Sequence, residues 1–179
     1  MLYNRFIRFA ALIATITAGA NAAAAQALPI RTTPVPETTA GVPHVQIGIQ
    51  PVPELSQALL TRVAELPGVR LGATRLSLPG AVGFQLSEDM QLARPEAIVG
   101  GLEFAHLHPD GSLHASLDPA FAKEAIEAGW AVAHPWAGRR PGFGGFVMIY
   151  TPMTTEELDV VTRLVEQSYS YVTGIIPPE

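Results

Sequence analysis

The stretch that most constrains this chain is residues 100–117, GGLEFAHLHPDGSLHASL. At its centre Pro109-Asp110-Gly111 is a turn with a mechanism. Proline presets φ at the first turn position, aspartate suits the second, and glycine takes the left-handed third. A three-residue loop of this kind joins two antiparallel strands through a type I turn and a glycine bulge. It fixes a register in which His108 faces Ser112, Leu107 faces Leu113 and His106 faces His114. Alternation then places Phe104, His106 and His108 on one face with Ser112, His114 and Ser116. Ala105 and Leu107 share the other face with Leu113 and Ala115, a core-like set, and Glu103 is expected to point away from the histidines. A two-residue Asp-Gly turn would slip the register and part His106 from His114. The proline favours the first arrangement.

The remaining chain is read outward from this hairpin. Met1 to Ala27 has Arg5 and Arg8, an apolar run from Phe9 to about Ala20, and small residues ending at Ala25-Gln26-Ala27. That three-part pattern predicts a secretory signal peptide over residues 1–27, and a periplasmic or secreted protein. The apolar run is shorter than the roughly 20 residues that span a bilayer, so no stable membrane span is expected after cleavage. Residues 28–179 have the length of one ordinary domain, able to bury roughly 70% of its unfolded surface. Loss of Arg5 and Arg8 takes the formal charge from −5 to −7, and Lys123 is the one lysine. Only Arg139-Arg140 clusters positive charge, which argues against nucleic acid as a partner. With no cysteine in the chain, disulfides and thiolate metal sites are excluded.

Residues 28–53 form a proline-rich extended lead-in, with a short strand expected through Val45 and Ile47. The domain proper is placed at 54–179. Glu54 to Leu66 has apolar residues at helical spacing, stopped by Pro67-Gly68. Val69–Leu78 and Val82–Leu86 read as strands. Residues 88–101 read as a crossing loop. After the hairpin, Asp118-Pro119 opens a helix as N-cap and first position, and Gly129 ends it. Trp130–His134 and Phe146–Tyr150 read as strands, separated by the glycine- and proline-rich loop PWAGRRPGFGG. Thr154 to Glu157 is a capping box for a last helix closed by Gly174. Strands mixed with separate helices predict an α+β domain: a mostly antiparallel sheet with about three helices packed on one face.

Imidazole titrates near neutrality and binds metals, so three histidines on one sheet face point to chemistry. Two uses of His106, His108 and His114 stay open, each extended by His134. Either they hold a divalent metal, or one is a general base and the others orient a polar ligand. Arg139 suits an anionic or enolic substrate, and Trp136 and Phe104 are expected beside it. The spacing from Gly100 to His106-x-His108 opens like a cupin motif, but Ser112 and Leu113 stand where a cupin needs its glutamate. No glycine pair sits in a dinucleotide fingerprint.

Taken together, GLEFAHLHPDGSLH, GWAVAHPWAG and GFVMIYTP resemble, in order and spacing, the luciferase-like domain shared by fungal luciferases and small bacterial proteins. The resemblance spans about residues 98–152. It implies a domain without an organic cofactor that oxidises a hydroxylated α-pyrone with molecular oxygen, the fungal enzymes emitting light. It places His106, His108, His114, His134, Gly138 and Arg139 on shared motif positions. The export signal is a departure from the fungal enzymes, so light emission does not follow. The expected function is an exported domain that binds a small enolic or phenolic molecule and oxygenates it through a histidine base, with the small ligand and oxygen as partners. A binding-only periplasmic module and a histidine-ligated metal protein are the alternatives. No cofactor is called for by the sequence beyond that divalent metal.

Overall fold

The hairpin forms in the register its turn chemistry predicts. In the computed structural model, which describes residues 27–178, Gly111 takes φ +83° and its amide donates to His108 O at 3.0 Å. Ala105, His106 and Leu107 face Ala115, His114 and Leu113. The signal segment expected over residues 1–27 lies, but for Ala27, outside the described residues.

Among the described residues the strands are β1 (Val69–Ala73), β2 (Val82–Leu86), β3 (Glu103–Leu107), β4 (Leu113–Ser116), β5 (Ala131–Ala133) and β6 (Phe146–Ile149). They make one sheet in the order β1-β2-β3-β4-β6-β5, and every neighbouring pair is antiparallel. The helices are α1 (Pro53–Ala64), α2 (Pro119–Glu127) and α3 (Thr155–Thr173). The protein is therefore α+β. A short 3-10 turn at Pro95–Ala97 interrupts the crossing loop. β1 ends at Ala73, well before Leu78, because Ser77 and Pro79-Gly80 belong to the turn into β2.

Local chemistry sets the helix ends. Asp118 accepts from the amides of Ala120 and Phe121, with Pro119 pre-organised at the first position. Thr154 accepts from the Glu157 amide at 3.2 Å. The Glu157 carboxylate returns not to Thr154 but to the Met153 amide, at 2.8 Å. Gly174 closes α3 in the left-handed conformation, φ +77°.

The helices cover one sheet face. Leu158, Val161, Leu164, Val165, Tyr169 and Val172 of α3 join Ala105, Leu107, Leu113, Ala115, Val147 and Ile149 of the sheet in a buried cluster. Truncating one such leucine to alanine typically costs about 2–5 kcal/mol.

The lead-in starts against the helices, with Leu28 in the core cluster, and reaches the opposite face at His44; it is irregular, as expected, yet closely packed. Its turn is held by Thr39 N to Val45 O and Ile47 N to Glu37 O, with a single bridge at Thr38 and Gln46 in place of a strand. Gln46 makes a two-way bond with Thr151, donating to Oγ1 at 2.6 Å and accepting from N at 3.0 Å. Arg31 is buried against Glu157 at 3.1 Å, with its guanidinium over Trp130 and Tyr150. Burial holds its pKa below the ordinary arginine value. Trp130 donates its indole N–H to Pro29 O.

Candidate functional site

All five histidines of the chain come together on the sheet face away from the helices. His106 and His114 sit opposite each other across β3 and β4. His114 faces Met148 of β6, and Met148 faces Val132 of β5. Two residues past Val132, His134 lies on the same face, its amide donating to Phe146 O at 3.0 Å. The lead-in supplies the fifth ring, His44, from above. Each of the five is no more than 6% exposed. His114 is the hub: its ring centre lies 4.5 Å from those of His108 and His134 and 5.1 Å from that of His106. His44 stacks on it at 5.5 Å.

Glu103 belongs to this face too, against the expectation that it points away. Its Oε1 lies 2.9 Å from His106 Nδ1. The cause is a bulge in β3: Phe84 pairs with Ala105 but Gln85 pairs with Glu103, leaving Phe104 as the extra residue. Parity flips there. Phe104, expected beside the histidines as a substrate contact, packs instead in the helix-side core, 6.0 Å from Phe84 and 5.9 Å from Tyr169. The Glu103 carboxylate rests over Gly83, where an added Cβ would come within 2.5 Å of Oε2. Thr74 and Gln85 also donate to it, at 2.7 and 2.9 Å.

Four of the rings, those of His44, His108, His114 and His134, are biased toward the neutral form. Burial, then the neighbouring imidazoles, push His108 down to about 4, and burial with His44 and others does the same to His134, to about 4. His114, ringed by four imidazoles, is lowered furthest; burial alone lowers His44. Neutral rings each carry one N–H and one lone pair. His106 Nε2 and His114 Nδ1 are 3.1 Å apart, and His114 Nε2 and His44 Nδ1 are 3.3 Å apart. A continuous chain thus runs from the Glu103 carboxylate through three imidazoles.

The rings form the floor of a cavity of about 410 Å³, within the range of small-molecule sites. Its walls are Val42, Pro43, Leu76, Leu78, Val99, Trp136 and Phe146, mostly apolar. Trp136 stands at the cavity wall, 38% exposed. Arg139 is not in this cavity. It lines an adjoining depression that shares Val99 and Trp136 with it, while Arg140 stacks on Phe143 at 3.8 Å and donates to Ile98 O and Val99 O. Two sets of rings bring ligating nitrogens within 4.8 Å of one another: His44, His114 and His134, and His106, His108 and His114.

Residues 101–168 match the model of the luciferase domain family. That part of the chain is similar to the luciferase domain family. Over 78 residues it is 40% identical to the luciferases of Armillaria gallica and Armillaria mellea, covering 40% of this chain and 29% of theirs. The luciferase of Neonothopanus nambi is 39% identical over 78 residues, covering 40% of this chain and 28% of its own. The chain thus matches less than a third of those relatives' length. No solved structure matches it.

The matched luciferase-like stretch contains four of the cluster's histidines and Glu103, but not His44. His44 and Glu103 are the site residues that sequence reasoning missed. Nothing local to GVPHVQI signals where His44 lands, since its partners are 70 or more residues away. The bulge that turns Glu103 inward leaves no composition cue beyond Gly100-Gly101 just before it. No helix among the described residues is long and apolar enough to cross a membrane.

Proposed function

We propose that this luciferase-like domain binds a small enolic or phenolic molecule in the histidine cavity and oxygenates it with molecular oxygen. The observation that carries this reading is the convergence of five imidazoles on the floor of an apolar-walled cavity. A neutral imidazole lone pair takes the enol proton. Burial opposes an isolated imidazolium, but one formed beside the new enolate is paired with an anion, which favours its charged form. The electron pair of the enolate carbon then forms a bond to oxygen, and the imidazolium returns its proton to the resulting peroxide. Apolar walls keep water from that product. His134 is suited to the enolate oxygen: its Nδ1 accepts from the Trp136 amide at 3.0 Å, which leaves Nε2–H as a donor. The base is one of the remaining rings.

The test is oxygen uptake by the purified protein with a panel of hydroxylated α-pyrones. Uptake that disappears on histidine replacement supports the reading. Ligand-dependent stabilisation without uptake favours a binding module instead. Neither binding nor uptake across the panel overturns both. We further propose that the domain works after export, supported by the signal-like pattern of residues 1–27. Mass spectrometry of periplasmic protein is expected to find Leu28 at the N-terminus, and retention of Met1–Ala27 in a membrane fraction would contradict this.

A further inference from the structure

We infer that His106, His108 and His114 hold one divalent transition-metal ion, in a site whose outer hydrogen bonds are already built. A ring nitrogen ligates a metal only through its lone pair, so the site is decided by which nitrogen of each ring carries the proton. His106 Nδ1 faces Glu103 Oε1 at 2.9 Å. A carboxylate there accepts, so Nδ1 carries the proton and Nε2 presents the lone pair. Ser112 gives its one hydroxyl hydrogen to Asp110 Oδ1 at 2.7 Å. Its oxygen therefore accepts from His108 Nδ1, at 2.9 Å, and His108 Nε2 is again the lone pair. These are the carboxylate–histidine and hydroxyl–histidine contacts that orient metal ligands and raise their basicity.

His114 completes the set. Its Nδ1 is 3.1 Å from His106 Nε2, close to the roughly 3.3 Å edge of a tetrahedron with metal–nitrogen bonds of about 2.0–2.1 Å. A cation entering there displaces the proton the two rings share. The His114 proton then sits on Nε2, 3.3 Å from His44 Nδ1, so His44 becomes its outer partner. The rival set of His44, His114 and His134 lacks this wiring. His134 Nδ1 accepts from the Trp136 amide at 3.0 Å, which puts its proton on Nε2 and leaves no lone pair for a metal. Imidazole-only donors with no thiolate suit zinc, copper or iron. The three ligands leave His134 and the cavity walls free for a substrate but take the lone pairs of three of the four rings that could act as the base, so the oxygenation reading is tested on metal-free protein.

The test uses the full chain, purified without a histidine tag, stripped with chelator and titrated with zinc chloride in the absence of any pyrone. Calorimetry is expected to give one zinc per chain, and cobalt(II) to give the visible bands of a tetrahedral nitrogen-ligated ion. Glu103→Gln and Ser112→Ala should each weaken zinc about 10- to 100-fold, and His108→Gln more than either. His134→Gln should leave zinc affinity within about twofold. No saturable zinc binding by the wild type overturns the site. Equal weakening by His134→Gln and His108→Gln overturns the ligand set. Ser112→Ala keeps all three ligands and offsets any folding failure of His108→Gln. Oxygen uptake by the stripped protein is scored separately, so loss of one reading leaves the other standing or falling alone.

Discussion

At the scale of single residues, the site depends on two positions that do no chemistry visible in a motif. Gly83 has no side chain where the Glu103 carboxylate lies, and Glu103 fixes the proton on His106. Gly83→Ala must push the carboxylate aside and strip its hydrogen bonds from His106, Thr74 and Gln85. An unmet buried polar group costs about 1–3 kcal/mol. Gly83→Ala is expected to lower stability by about that amount and to change the His106 tautomer in nitrogen-15 NMR of the ring. An unchanged His106 signal would show that Glu103 does not set it. The hairpin histidines were legible in the sequence because strand alternation and a proline-aspartate-glycine turn leave one register. Phe104 and Glu103 were misread for a single reason: one extra residue in β3 reverses the parity of everything before it. Alternation carries no marker for a bulge.

At the scale of elements, helix caps and turns were read well because their partners lie within a few residues. Asp118, Thr154 and Gly174 act where the sequence places them. The lead-in was legible only as irregular, since what holds it is distant in sequence. Gln46 reaches Thr151 with both ends of its amide, and its backbone amide reaches Asp110 in the hairpin turn at 3.3 Å. These contacts lay the segment over the sheet and put His44 on His114. Gln46→Ala leaves the buried Thr151 amide without its acceptor, a loss of about 1–3 kcal/mol, which for a domain of this size lowers Tm by about 2–12 °C. Scanning calorimetry checks it. An unchanged Tm would mean the lead-in is not anchored through Gln46.

At the scale of the whole molecule, crowding five imidazoles in one buried face links folding to pH. The folded pKa values of His44, His108, His114 and His134 lie below the unfolded value near 6.5, to about 4 for His108 and His134. Below pH 6.5 the unfolded chain takes up protons that the folded chain refuses. Stability is therefore undiminished by these groups above about pH 6.5 and falls as pH drops toward 4, by up to about 1.4 kcal/mol per pH unit for each such histidine. Urea unfolding of chelator-treated protein between pH 7 and 4.5 should show this decline. The α+β class and the helix-covered sheet were legible from periodicity. The sequence already set His134 beside the hairpin histidines; the arrival of His44 was not legible, because the lead-in joins residues 70 apart in the chain.

If the imidazole-floored cavity receives the substrate, as proposed, loss of the His134 ring removes binding. His134→Gln keeps similar bulk and a hydrogen-bonding group but removes the ring whose Nε2–H is proposed to donate to the ligand. Calorimetric titration of a hydroxylated α-pyrone into wild type and variant, with Tm measured on both, is the measurement. Saturable binding by the wild type, lost in the variant with Tm within about 4 °C (roughly 1 kcal/mol), is the predicted result. Binding intact in the variant, with Tm lowered further, would show that His134 is structural and that the cavity is not the substrate site in the form described.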